Sequence, residues 1–385
     1  MGGVSLGNTE ESIDGSDEGK ELGLDNSSEL GPDGIELEKV GELEGTNSTK
    51  SVIVTKVIGP SELKNLSQML CMLSHFFNDS KQYDVIVFTT LPWEKQDQTF
   101  LKTVVHPTKL SIVLEGPPLL EQLSALNTTE QDFLLKRCGN ATSIQNLTWA
   151  HHCHEEGSKV YKLGYGWQAE FRSYHIYTHP ALQEYKYMMW LDSDAILSQT
   201  LDVDPIEDAI RKQAIVSFAA FPYGRTRNQR LIHKMKIVYN HSICNTFLNK
   251  QSGKLNGKGC SGDNINLAQI GGFHHVTDLD VFRKPIHQKF LREFVGDYKF
   301  SRKYDDQIAV TLVGLMEQYF AMKRNESKFL IHQRSTNVTL RIAHHCKFDN
   351  VDFAPCKAKR VYGKLLKEDN AENRKLKDRC GKYFL

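Results

Sequence analysis

Apolar positions along the chain follow two periods, and the alternation between them begins at Ser51. "SVIVTKVIG" (51–59) is an apolar run of strand length, and it predicts a first strand. In the next stretch, "SELKNLSQMLCMLSHFFND" (61–79), Leu63, Leu66, Met69 and Leu70 recur at spacings of three and four, which places them on one face of an amphipathic helix. "YDVIVFTT" (83–90) is again a continuous apolar run. Strand, helix, strand is the signature of a βαβ unit in a parallel sheet. From Pro92 to about Val160 the pattern is mixed, and that segment reads as a peripheral insertion. In "GYGWQAEFRSYHIYTHPALQEY" (164–185), Trp167, Phe171, Tyr174 and Thr178 recur at helical spacing and Pro180 marks the stop. A short buried strand, Tyr187–Leu191, then runs into Asp192 and Asp194. No internal repeat is visible, so the economical organisation is a single α/β domain over 51–385.

Composition changes this picture at the ends of the pattern. Residues 1–46 hold thirteen Asp/Glu against two Lys, which leaves 46 basic and 34 acidic residues in the remainder. Residues 1–50 are rich in Gly, Ser, Glu and Asp and nearly empty of aromatics. Such a segment cannot bury enough apolar surface to offset its ordering entropy, so 1–50 is expected to be a disordered acidic stem or linker. It lacks the apolar run of a signal peptide or membrane helix, so membrane attachment would have to come through an anchor not present in this chain. The basic body suits an anionic ligand such as a nucleotide diphosphate. No arginine-rich block with interleaved aromatics points to nucleic acid.

Eight cysteines with no zinc-ribbon pair of CxxC units leave disulfides open, with connectivity unassigned. Ten of the twenty asparagines begin an Asn-x-Ser/Thr sequon, and that motif matters only in the secretory lumen.

The chemistry centres on Asp192 and Asp194. In an extended segment, side chains at i and i+2 share a side, so both carboxylates are expected at the carboxyl end of an inner strand, where open α/β sheets hold ligands. Two like charges that close call for a cation. Mn²⁺ or Mg²⁺ would accept carboxylate oxygens and keep positions free for phosphate, and would stabilise charge developing on a nucleotide leaving group. Arg172, in the preceding helix, is assigned with these two aspartates to nucleotide binding. Asp202–Asp204 and Asp278–Asp280 repeat the Asp-x-Asp spacing without a preceding apolar strand of the same kind. A rival reading is a haloacid-dehalogenase-type phosphatase, whose first aspartate is a nucleophile, but Ile196 stands where that motif carries Thr or Val. "HHCHEE" (151–156) is too crowded for the usual zinc spacing and reads as an exposed loop.

Taken in order, the motifs resemble the fungal-type Golgi α-1,2-mannosyltransferases, glycosyltransferase family fifteen. The carriers are the opening strand–helix–strand from Ser51, "FRSYHIYTHPALQEYKYMMWLDSDAIL", "GGFHHVTDLDVFRKPIHQKFLREF", "FSRKYDDQIAVTLVGL" and "RIAHHCKFD". The resemblance implies a Rossmann-like fold of the GT-A type with a mostly parallel central sheet flanked by helices. It also implies GDP-mannose as donor, Mn²⁺ (or Mg²⁺) as metal, transfer with retention to a glycan or glycoprotein acceptor, and a place in the Golgi lumen. Carried over residue by residue, Asp192 and Asp194 take the metal with His344 or His345 completing its shell. Asp305 and Asp306 match the element that holds donor sugar or acceptor hydroxyls. Asp-Ser-Asp stands where the family has Glu-Pro-Asp, and His275 falls nearest the family's catalytic glutamate, with Asp278 and Asp280 just beyond. That departure leaves open an internal-return mechanism without a covalent nucleophile. It also leaves open a UDP-sugar donor, as in galactosyl and xylosyl transferases, and a non-catalytic glycan-binding protein on the same fold.

Overall fold

Seven strands build the central sheet in the computed structural model, which describes residues 50–139, 141–154, 160–218, 223–227, 229–241, 260–261, 264–268, 270–296, 306–324, 331–333, 342–343 and 358–384. The acidic segment expected to be a stem, residues 1–49, lies outside the described residues. The strands are β1 (Ser51–Val57), β2 (Asp84–Thr89), β3 (Leu110–Leu114), β4 (Tyr187–Leu191), β5 (Val216–Phe218), β6 (His274–Asp278) and β7 (Ile331–Gln333). Their spatial order is β7-β5-β6-β4-β1-β2-β3. Only β6 runs against the rest: it pairs antiparallel with β4 and β5, while β1–β2, β2–β3, β1–β4 and β5–β7 are parallel.

The chain steps outward from β1 to β2 and β3, then returns to lay β4 on the other side of β1. This reversal opens a crevice outside the carboxyl ends of β1 and β4, the place where open α/β sheets bind ligands.

The period-two pattern is consistent with a sheet covered on both faces. In β4, Met188 and Trp190 belong to one apolar cluster, while Tyr187, Met189 and Leu191 belong to another. The first cluster packs under α4 (Leu163–Ser173), α7 (Pro285–Val295) and α8 (Asp306–Lys323). The second is covered by α1 (Leu63–Leu73), α2 (Lys95–Val105) and α9 (Ala371–Phe384). The shorter helices between them in sequence include α3 (Leu119–Ser124), α5 (Pro205–Arg211) and α6 (Leu279–Arg283). None of the described helices is long and apolar enough to cross a membrane.

Three expectations are corrected here. Residues 92–160 are not wholly peripheral, because they supply α2, whose Leu101, Val104 and Val105 are buried, and the sheet-edge strand β3. That strand reads LSIVL, an apolar run of only five residues, although at the sheet edge three of the five are half-buried and Leu114 is exposed. The helical spacing through Thr178 is also interrupted. The α-helix ends at Ser173, Tyr174 leaves the helical region at φ −139°, and His175–Thr178 continue as a 3₁₀ turn. There Arg283 Nε donates to the Tyr177 carbonyl at 3.0 Å. The "HHCHEE" segment, expected as an exposed loop, is a short strand over His152–His154. His152–His154 pair with Val160–Lys162 in a hairpin, His152 and His154 are exposed, and Cys153 is disulfide-bonded to Cys138. A second disulfide joins Cys71 on α1 to Cys380 on α9.

Candidate active site

Strand β4 delivers Asp192 to the crevice directly after Leu191. There the backbone turns instead of continuing extended, with the Asp192 amide donating to the Phe273 carbonyl at 3.0 Å and the Ala195 amide to the Asp192 carbonyl at 2.8 Å. Asp192 and Asp194 are thus neighbours on one tight turn, not alternate residues of a strand, and both are half-buried. Ile196–Leu197 leave the turn and pair antiparallel with Ile342–Ala343.

Two of the side chains that hold Asp192 are Trp190, two residues before it, and Arg172. Trp190 Nε1 donates to Asp192 Oδ1 at 2.7 Å. Arg172 Nη2, in the last turn of α4, lies 3.1 Å from the same oxygen and 2.6 Å from Asp306 Oδ2. The same nitrogen donates to the Gly272 carbonyl at 2.8 Å, and the guanidinium lies 4.2 Å over the Trp190 ring, a cation–π geometry. Arg172 is therefore placed as a tie between two acids, its planar fork matched to carboxylates and its face to an aromatic. Gly272 is required by close approach: a Cβ there would lie 2.6 Å from Gln307 Cγ and 3.1 Å from Asp306 Oδ2. That clearance is what lets the first turn of α8 bring Asp306 against Arg172.

A second charged group sits on the same sheet edge. Lys56, near the end of β1, meets Glu115, just past β3, at 2.9 Å with both side chains 1% exposed. Burial pushes the lysine ammonium below its ordinary range, and Glu115 opposes the shift. Thr90 Oγ1 donates to Glu115 Oε1 at 2.5 Å and Trp167 Nε1 to the same oxygen at 2.6 Å. No motif in the sequence pairs these four residues. The single signal is a lysine inside an otherwise apolar strand.

The sequence-derived candidates separate into three groups. Asp192, Asp194, Arg172 and Asp306 come together. His275 pairs across from Trp190 and is buried within the sheet, near this edge. Asp278 and Asp280 do not join them. Because β6 is antiparallel, Asp278 pairs with Tyr187 at the opposite end of β4, about 16 Å away along the strand. Asp278 caps α6 by accepting from the Asp280 amide at 3.0 Å, and Asp280 faces Arg283 at 3.4 Å. Asp305, His344 and His345 lie outside the described residues.

The donor set fits a hard divalent ion. Two half-buried carboxylates on one turn offer oxygen ligands and leave room for phosphate and water. Among the described residues no group of three His, Cys, Asp or Glu is placed to hold a metal, so these two aspartates would supply only part of an ion's shell. Ala343, the residue before His344, pairs with Ile196, two residues beyond Asp194.

No protein-family model and no curated protein matches the sequence. Solved structures do. The mannosyltransferase Ktr4p from S. cerevisiae in complex with GDP aligns with a TM-score of 0.50 at 15% identity, over 85% of this chain and 84% of that one. The fold is that of the GT-A glycosyltransferases. Core-mannan synthase A from Aspergillus fumigatus, in its Mn/GDP form, aligns with a TM-score of 0.48 at 15% identity, over 70% of this chain and 71% of that one. The galactosyltransferase LgtC, with donor and acceptor sugar analogues, gives 0.35 at 11% identity, over 84% of this chain and 99% of that one. The structural neighbours are glycosyltransferases, fungal mannosyltransferases among them, in keeping with the motif order. In this GT-A frame Asp192 ends an inner strand at the topological switch of the sheet.

Proposed function

We propose that the chain is a retaining, metal-dependent glycosyltransferase that moves mannose from GDP-mannose to a glycan or glycoprotein acceptor. The observation that carries the proposal is the turn bearing Asp192 and Asp194 at the carboxyl end of β4, beside β1, with Asp306 drawn to it through Arg172. The GDP and Mn/GDP forms of the fungal structures support the donor class and the metal. Asp192 and Asp194, with His344 or His345, would hold Mn²⁺ or Mg²⁺, and the bound ion would supply charge stabilisation to a departing diphosphate. The chain's own part is to fix those carboxylates. Trp190 and Arg172 orient Asp192 through its Oδ1. With Asp278 and Asp280 at the far edge, the departing diphosphate itself assists the acceptor hydroxyl, and no carboxylate nucleophile is needed. A secretory location, in the Golgi lumen, is supported by the two disulfides and by sequon asparagines 65, 127, 146 and 240, all exposed. Asn78 is a sequon in sequence only. Its buried amide donates to the Tyr83 carbonyl and accepts from the Tyr83 amide.

A second reading, a non-catalytic glycan-binding protein on this fold, draws on Arg172, whose guanidinium already sets positive charge beside Asp192. One experiment separates the two. Thermal shifts with GDP, UDP and their sugars, with and without Mn²⁺, rank donors, because stabilisation grows with ligand concentration over Kd. Release of GDP from GDP-mannose then reports turnover. The transferase gives a Mn²⁺-dependent shift with GDP and a release that Asp192→Asn abolishes at unchanged Tm. Full transfer by a chelator-treated Asp192→Asn protein rules it out.

A further inference from the structure

A cavity of about 410 Å³ opens past the end of β3, beside the buried Lys56–Glu115 pair and on the same sheet edge as Asp192. Trp167, His175 and His179 supply flat ring walls, and Gln122 and Glu121 of α3 supply its polar side. Gln122 is 5% exposed. Its amide nitrogen donates to the Pro117 carbonyl at 2.6 Å, while its buried Oε1 has no hydrogen-bond partner among the described residues. An unsatisfied buried acceptor is costly, and a ligand donor removes the cost. Gly116 keeps the space open, since a Cβ there would stand 3.3 Å from Trp167 Cζ2 and 3.5 Å from Gln122 Nε2.

The chemistry of the walls narrows the occupant. Glu115 and Glu121 make the cavity acidic and hostile to phosphate, while Lys56 is spent on Glu115 underneath. His179 is kept neutral: burial pushes its imidazole down, and its Nδ1 accepts from the Ala181 amide at 3.1 Å. His175 is turned to Glu170 at 2.9 Å. What remains is a set of acceptors between ring faces, suited to an uncharged ligand rich in hydroxyl donors with an apolar face. Trp167 and Arg172 share α4, and the ends of β3 and β4 stand three strand spacings apart, about 14 Å, so the cavity sits within reach of a short glycan extending from the aspartates.

We infer that this cavity is an acceptor subsite that holds one neutral pyranose ring of the glycan, with Gln122 Oε1 accepting from a ring hydroxyl. The inference rests on the glycosyltransferase reading and adds to it the place and charge class of the acceptor. The test is saturation-transfer NMR on the full chain with methyl α-D-mannopyranoside, methyl β-D-galactopyranoside and methyl β-D-xylopyranoside, with and without GDP. At least one glycoside is expected to bind in the presence of GDP, and Gln122→Met to weaken it about tenfold with GDP binding unchanged. That near-isosteric variant also gives up the hydrogen bond to the Pro117 carbonyl, so Tm is expected to fall somewhat, and binding is compared at temperatures where both proteins are folded, with GDP binding as the control for the fold. No glycoside contact, or contact indifferent to Gln122→Met, overturns the subsite while leaving GDP binding and the transferase reading in place. Displacement of the glycoside by GDP, or loss of GDP binding in Gln122→Met, assigns the cavity to the nucleoside and overturns it too. Glycoside binding by a chain that never binds GDP defeats the transferase reading and the acceptor role together.

Discussion

Arg172 meets two carboxylates, a carbonyl and an indole face with one guanidinium, and its removal leaves Asp306, whose side chain is 5% exposed, without that cation. Breaking a buried ion pair from one side costs about 3–5 kcal/mol. Arg172→Ala is expected to lower the denaturant midpoint by that order. Arg172→Lys is expected to restore only part of it, because lysine brings charge without the planar fork or the stacking face. Equal midpoints for the alanine and lysine variants would remove Arg172 from its role as a tie. The aspartates themselves were legible in the sequence, since charges that end an apolar strand stand out against the pattern. Arg172 and Asp306 were named as candidates in other roles, while Trp190 and Gly272 gave no signal. Their meeting depends on segments 18 to 134 residues apart in the chain, and on a glycine whose need becomes apparent once α8 is laid against it.

At the scale of elements, the antiparallel course of β6 decides which acids belong to the site. Sequence order placed Asp278 and Asp280 near the chemistry, but strand direction moved them to the far end of β4. There Asp278 has a different part to play, as the cap of α6. Burial, helped by Asp280, pushes its carboxyl up from 3.8 to about 6 against the pull of Lys186. Between those values the folded chain keeps a proton that the unfolded chain has released, so stability falls as pH rises through that window. Asp278→Asn preserves the oxygen that accepts from the Asp280 amide and removes the charge. It is expected to raise stability by roughly 1–3 kcal/mol at pH 7 and by nothing at pH 3.5, read as the difference in Tm between the two proteins. A gain of the same size at both pH values would contradict the burial argument. The parallel half of the sheet was visible from β1, α1 and β2, whose periods are clean. The edge strand β3 was not, because its LSIVL is a five-residue apolar run inside a mixed segment, too short for periodicity to tell a strand from a buried helical turn.

Across the whole molecule, the first and last helices close on each other. Gln68 of α1 donates to the Tyr383 carbonyl at 2.9 Å, Arg379 pairs with Asp79, and Cys71 is bonded to Cys380, 309 residues away in sequence. A crosslink over so long a loop restricts the unfolded chain strongly, and its loss is expected to cost about 2–5 kcal/mol. Paired Cys71→Ser and Cys380→Ser replacement should therefore lower the denaturant midpoint, while a GDP-dependent thermal shift persists because the aspartate turn lies on another part of the sheet. Loss of nucleotide response at temperatures where the variant remains folded would tie the crevice to this closure.

The same bond sets a timetable for biosynthesis. Cys71 emerges from the ribosome 309 residues ahead of its partner, which arrives only with α9. In the interval Cys138 and Cys153, fifteen residues apart, can find each other locally, which takes two competing thiols out of play before the long-range pair must form. Chains stalled or trimmed ahead of Cys380 would carry an unlatched α1 and a Cys71 without its native partner, a state that quality control can recognise.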